Sequence, residues 1–168
     1  MFMSEKDFRK LVEKDPSLVK SYSLAMGKVP RTNKYRNVKL YEYADGLVSE
    51  TKGLSEHGSV INIFDSMKEY DRWMQLKLLE KSGEISELER QKTMLIQGEF
   101  TYRDLQGEHK IGKITYKADF FYLHNGNYIV EDVKPFDNNT GRYRLTKDFT
   151  LKWKLLMNKY PSFQFVII

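Results

Sequence analysis

The sequence predicts a mixed α/β (α+β) domain in which a helix, three strands, a helix and a strand follow one another. Three observations predict it. Apolar-rich runs flank His124-Asn125-Gly126-Asn127, and an Asn-Gly pair between β-branched and aromatic runs signals a hairpin. Met67, Tyr70, Trp73, Met74 and Leu78 recur at helical spacing, as do Leu145, Phe149, Trp153, Leu156 and Tyr160, which marks two amphipathic helices. Phe163 to Ile168 is a short apolar run after Pro161, which reads as a closing strand.

In chain order, residues 4 to 14 read as a short helix, with Ser4 as N-cap, Phe8, Leu11 and Val12 on one face and Pro16 as its stop. Residues 17 to 60 carry scattered Gly, Ser, Asn and Pro with weak periodicity. They read as an arm with one short strand at Val38 to Tyr43. The chain is thus divided into an N-terminal helix and basic arm, 1–60, and a core, 61–168. Ser66 to Ser82 is a helix closed by Gly83. Glu84 to Leu88 is a short connection, and Met94 to Leu105 alternates loosely as a strand. Gly107 and Gly112 bracket a turn. Ile114 to Lys134 is the hairpin, with Asp119 near the middle of its first strand. Pro135 to Gly141 is a loop rich in Asn and Asp, and Arg142 to Tyr160 is the second helix.

Bulk properties narrow the class. At 168 residues, about one domain is expected. Hydrophobic residues make up 40% and charged residues 30%, which excludes an intrinsically disordered composition. There is no Cys, so disulfides and thiolate metal sites are excluded, and a cytoplasmic setting is expected. No apolar run reaches the ~20 residues of a membrane span, and the N-terminus lacks the apolar core of a signal peptide. The net charge of +5 suits a nucleic-acid partner. Lys28, Arg31, Lys34, Arg36 and Lys39 fall in a stretch with no acidic residue between Lys28 and Lys39. Such a stretch either tracks a phosphate backbone or is a solvated loop.

The chemistry concentrates in the hairpin. Side chains alternate across a strand, so Asp132 and Lys134 share a face and Glu131 points the other way. Hydrolysis of a phosphodiester needs charge neutralisation at the phosphoryl oxygens and an activated water, which a divalent metal on carboxylates supplies. Asp119 and Asp132 are candidate ligands, and magnesium needs only one or two carboxylates from the protein. Lys134 is a candidate for stabilising the developing charge. The plain alternative for Asp132 and Lys134 is a solvated strand face. Asp119 fits that alternative less well, because a carboxylate within Ala118-Asp119-Phe120-Phe121 is costly to bury unpaired. Glu69 has two readings: a third ligand, or the Glu of a Ser66-x-x-Glu69 capping box reaching back to the Ser66 amide. Gln91 is either a polar lining residue or a surface side chain. His57, His109 and His124 are isolated in sequence and read as surface or loop residues. No nucleophile elbow, P-loop or dinucleotide fingerprint is present.

The order α-β-β-β-α-β with Asp119 and Asp132-Val133-Lys134 resembles the PD-(D/E)xK nuclease superfamily. More narrowly, the chain resembles a family of small phage proteins formerly catalogued as a domain of unknown function. The matching stretches are Phe64 to Glu69, Leu76 to Ile85, Leu88 to Gln91, Ile114 to Phe120, Val130 to Lys134 and Lys159 to Pro161. Ala118 stands where the superfamily usually has Pro, and Pro135-Phe136 follows Lys134 where Gly is usual. The resemblance implies a restriction-endonuclease-like core, a mixed central sheet flanked by helices. It also implies a Mg²⁺-dependent DNA endonuclease, with Mn²⁺ as a substitute ion and no organic cofactor. Glu69, Asp119, Asp132 and Lys134 map onto its catalytic positions, the three carboxylates as metal ligands. Gln91 and the basic arm are the expected DNA contacts. A phage-encoded enzyme in the cytoplasm of a bacterial host is implied, acting on branched or duplex DNA in replication or recombination, like a Holliday-junction resolvase. A homodimer is expected, because cutting both strands needs two sites. The alternative is a non-catalytic DNA-binding or adaptor module on the same scaffold.

Overall fold

β-branched and aromatic runs dominate the chain. In the computed structural model, which describes residues 38–168, these residues form mostly strands, with two α-helices and several small sheets. The expected helix at 4–14 and the arm residues Lys28, Arg31, Lys34 and Arg36 lie outside the described residues. The chain divides into two compact units, one ending at Leu78 and the other beginning at Leu79.

In the first unit, β1 (Leu40–Tyr43) pairs antiparallel with β2 (Val48–Ser49) and β3 (Val60–Phe64), in the order β2-β1-β3. Only β1 is foreseen from sequence. The helix α1 (Met67–Lys81) starts in this unit. Leu40, Phe64 and Tyr70 are buried together, with Met67, Trp73 and Met74 packed against them. The buried Glu42 carboxylate is satisfied by the Asn62 amide at 2.7 Å and Lys77 at 3.5 Å.

The second unit is built on a four-stranded sheet. Its strands are β4 (Ile85–Arg90), β9 (Phe120–His124), β10 (Asn127–Asp132) and β13 (Gln164–Ile167), in the order β13-β10-β9-β4. β10 and β13 are parallel, and the other pairs are antiparallel. β5 (Thr93–Gln97) pairs with β8 (Ile114–Lys117), β6 (Phe100–Asp104) with β7 (Gly107–Ile111), and β11 (Phe136–Asp137) with β12 (Arg142–Tyr143). The second helix, α2 (Lys147–Lys159), lies in the chain between β12 and β13. Val130, Phe121, Met94 and Tyr116 of the strands pack with Phe149, Trp153 and Leu156 of α2 in one core.

Several elements differ from the sequence expectation, each for a local reason. The supposed connection at Glu84–Leu88 is the start of β4. A bulge between Ser86 and Glu89 breaks its alternation and hides it from a period-two search. The single strand expected from Met94 to Leu105 is two strands, parted at Gly98-Glu99, after which the chain pairs with β7 instead of β8. The stretch between Gly107 and Gly112 is therefore mostly strand. The second helix begins at Lys147, not Arg142. The Thr146 hydroxyl caps it by accepting from the Phe149 amide at 3.2 Å, while Arg142-Tyr143 are held in β12.

Candidate active site

The hairpin turn falls where Asn125-Gly126 places it, with both residues at positive φ, 49° and 76°. Its first arm is not continuous. The chain breaks between β8 and β9, so Asp119 sits in a gap between strands rather than mid-strand. At that gap the ribbon changes partners, β8 pairing with β5 and β9 with β4. Two bonds seal the exchange: Ala118 N–H donates to the Lys92 carbonyl at 3.0 Å, and Gln91 N–H donates to the Asp119 carbonyl at 2.9 Å. Gln91 has a left-handed backbone, φ 52°. Gln91 thus meets Asp119 through its main chain.

From this gap the Asp119 side chain reaches the end of β10, where its Oδ2 accepts at 2.8 Å from the amide of Val133, the residue after the strand. Asp132, the last residue of β10, is 2% exposed. One of its oxygens accepts from the Tyr116 hydroxyl and the other from Lys134 Nζ. Lys134 Nζ also stands 4.5 Å from the centre of the Phe149 ring, an apolar floor with a favourable face for a cation. The backbone here is clamped by β13: Lys134 N–H donates to the Ile168 carbonyl at 2.8 Å, and Ile168 N–H donates to the Asp132 carbonyl at 3.0 Å. Asp119, Asp132 and Lys134 are thus brought together.

Sequence reasoning misses Tyr116. It packs edge-on to Trp153, with ring centres 5.7 Å apart, and touches Asp132. Burial pushes its phenol pKa well up, and the charge of Asp119 adds to the effect, so the hydroxyl stays a donor. The signal available was an aromatic three residues before an acidic residue, which alone is too common to use. Glu131 points away from this group, as alternation predicts. It is fully buried and accepts from the Tyr122 hydroxyl at 2.9 Å.

The other candidates have local partners of their own. Glu69 belongs to the first unit, is 4% exposed and serves the start of α1. Its amide donates to the Ser66 hydroxyl at 3.2 Å, and its carboxylate accepts from the Asp65 amide at 2.9 Å, one residue before the Ser66 amide expected from sequence. Lys39 is exposed and pairs with Asp65 at 3.2 Å. His57 meets Asp45 at 2.7 Å and His109 meets Asp104 at 2.9 Å. His124 ends β9 and contacts Asn125 at 3.2 Å.

Two carboxylates beside one ammonium form a set of hard oxygen donors with a cation next to them. Each carboxylate has about four lone-pair sites, so the bonds from Tyr116 and Lys134 do not exhaust Asp132. Among the described residues no three or more His, Cys, Asp or Glu side chains cluster as a metal cage. The donors fit a cation that takes one or two carboxylates and keeps water in its remaining positions, as magnesium does. No curated protein matches the chain. Residues 58–168 match the family model described as Protein of unknown function (DUF1064), and the chain belongs to that family.

Proposed function

We propose that the chain is a metal-dependent DNA endonuclease of the PD-(D/E)xK type. The convergence of Asp119, Asp132 and Lys134 beside Tyr116 carries this reading. The element order supports it. In chain order α1, then β4, β9 and β10, then α2 and β13 run as α-β-β-β-α-β, with β5 to β8 inserted, and the four strands form a mixed sheet. The resemblance implies such an order for a restriction-endonuclease-like core.

Asp119 and Asp132 would hold Mg²⁺ or Mn²⁺. The bound ion supplies charge neutralisation at phosphoryl oxygens and a more acidic water. The chain's own residues do the rest. Tyr116 and the Val133 amide orient the two carboxylates, so the donors are fixed before substrate arrives. Lys134 presents an ammonium to the charge that grows on phosphorus-bound oxygens as water adds and the sugar oxygen leaves. The burial of Asp132 and the Phe149 ring against Lys134 thin the surrounding water and strengthen that attraction. Glu69 as a third ligand is part of the same proposal, as are phosphate contacts by Lys28, Arg31, Lys34, Arg36 and Lys39 and assembly as a homodimer.

The test is the purified protein with Mg²⁺ or Mn²⁺ on linear, flapped and four-way DNA. Cleavage is expected, and EDTA should abolish it. Ca²⁺ should support binding with little cutting, because it coordinates loosely. Undiminished cleavage in excess EDTA refutes the metal, and a correctly folded protein that binds DNA but cuts none of these substrates refutes the enzyme.

A further inference from the structure

A cavity of about 420 Å³ opens in the second unit, lined chiefly by Glu87, Lys92, Phe121, Tyr128, Tyr160 and Phe163. Its size falls within the usual range for small-molecule sites. Its aromatic wall is one cluster of two near-parallel pairs, with Phe163 tilted against both Phe121 and Tyr128, ring centres 5.8 and 5.3 Å apart. Phe121 stacks on Tyr128 with 19° between rings, and Tyr160 stacks on Phe163 with 16°.

Both tyrosine rings are pinned by their hydroxyls. Tyr160 donates to the Leu95 carbonyl at 2.9 Å, and Tyr128 donates to the Glu87 carboxylate at 3.1 Å. Glu87 reaches Tyr128 from the β4 bulge, with a left-handed backbone at φ 55°. A bulge that re-aims one side chain is common beside functional sites, and strain of this kind persists where the surroundings enforce it. Lys92 Nζ stands 4.1 Å from the centre of the Phe121 ring and donates one of its three hydrogens to the Glu89 carboxylate at 2.5 Å.

The cavity and the carboxylates share a sheet face. Tyr128, Val130 and Asp132 alternate with Ile129 and Glu131 along β10. Four steps along the strand, about 13 Å at the usual rise, separate Tyr128 from Asp132, and Val130 between them is buried under α2. Resting on the nuclease reading above, we propose that this cavity is a base-stacking subsite that receives one unpaired nucleobase of the DNA strand being cut. Flat, preorganised aromatic walls bind any base through its π-face. Lys92 offers a donor and Glu87 an acceptor to the ring edge, groups that an apolar peptide side chain would leave unused. A base within a duplex is already stacked on both faces, so the subsite selects strands that are frayed, flapped or branched near the cut.

The test uses no cleavage. Fluorescence anisotropy in EDTA compares a labelled oligothymidylate of about 12 nucleotides with an abasic chain of equal length. The wild-type protein is expected to bind the intact strand at least about tenfold more tightly, the scale of one lost stacking contact. Tyr128→Leu should lose that factor on the intact strand and none on the abasic one, while Tyr128→Phe keeps it. Equal affinity of the wild-type protein for both strands overturns the proposal and points to a peptide groove instead; so does binding of neither. If Tyr128→Leu does not fold, the wild-type comparison alone decides. Base-dependent binding without cleavage in any metal leaves this subsite standing and removes the nuclease.

Discussion

Asp132 joins two partners of different kinds, a neutral phenol and an ammonium, and that pairing makes its surroundings testable one side chain at a time. Replacing Lys134 by Ala leaves a buried carboxylate without its countercharge, which typically costs about 3–5 kcal/mol. The proposed chemistry loses more specifically: Lys134→Ala should cut at least about 100-fold more slowly while keeping most DNA affinity. Cleavage time courses beside thermal melts check both, and unchanged cutting would reduce Asp132-Val133-Lys134 to an ordinary strand end. Tyr116 gives a pH prediction whose sign is fixed by its raised pKa. The folded chain holds this proton more tightly than the unfolded chain does. Its stabilising contribution is therefore full below about pH 10, the unfolded phenol value, and is lost as pH rises beyond it. Denaturant unfolding at about pH 9 and about pH 11 should show wild type losing more stability than Tyr116→Phe; an equal loss would contradict the assignment. Asp119, Asp132 and Lys134 were legible because they lie within one hairpin whose turn is written in sequence. Tyr116 lies in the same stretch but was not, because an aromatic on a strand is the ordinary choice for a core and nothing local marks its hydroxyl for Asp132.

At the scale of elements, α1 shows how one residue can serve a helix and still be claimed for chemistry. Glu69 accepts from the Asp65 amide at 2.9 Å at the helix start, a bond that the oxygen of Gln can also accept. Glu69→Gln should therefore melt close to wild type. If Glu69 is a metal ligand, the same variant should lose most of its cleavage; cleavage at the wild-type rate would leave only the cap. The two helices and the hairpin were readable because their periodicity runs over long stretches. β4 was not, because its bulge shifts the register, and β5 to β8 were partly lost because pairing partners change at glycine and at Ala118-Asp119. Local pattern tells which residues extend, whereas the change of partner depends on strands brought in from elsewhere.

For the whole molecule, the second unit is closed by its last strand. β13 adds to β10 in parallel through α2, a connection that cannot form until the intervening chain has folded back. It covers an otherwise open edge of β10 and holds the backbone on both sides of Val133. Removing residues 161–168 should expose that edge and cause association beyond that of the full chain, visible by light scattering; a truncated protein that assembles no further than the full chain would show that β13 is dispensable to the sheet. The sequence made the closing strand visible but not its direction, since a short apolar run is the same read parallel or antiparallel. Net charge, read from composition alone, speaks to partners rather than to fold.

The contact between Trp153 and Tyr116 has a practical consequence. The chain has two tryptophans, and Trp153 lies edge-on to the ring whose hydroxyl rests on Asp132. With Trp73 replaced by Phe, the remaining indole emission becomes a built-in optical gauge of what happens at that carboxylate. Titrating Mn²⁺ into this variant should change its intensity in a saturable way, and Asp132→Asn should flatten the response. A trace that stays level in the first protein would mean that no ion settles beside Asp132.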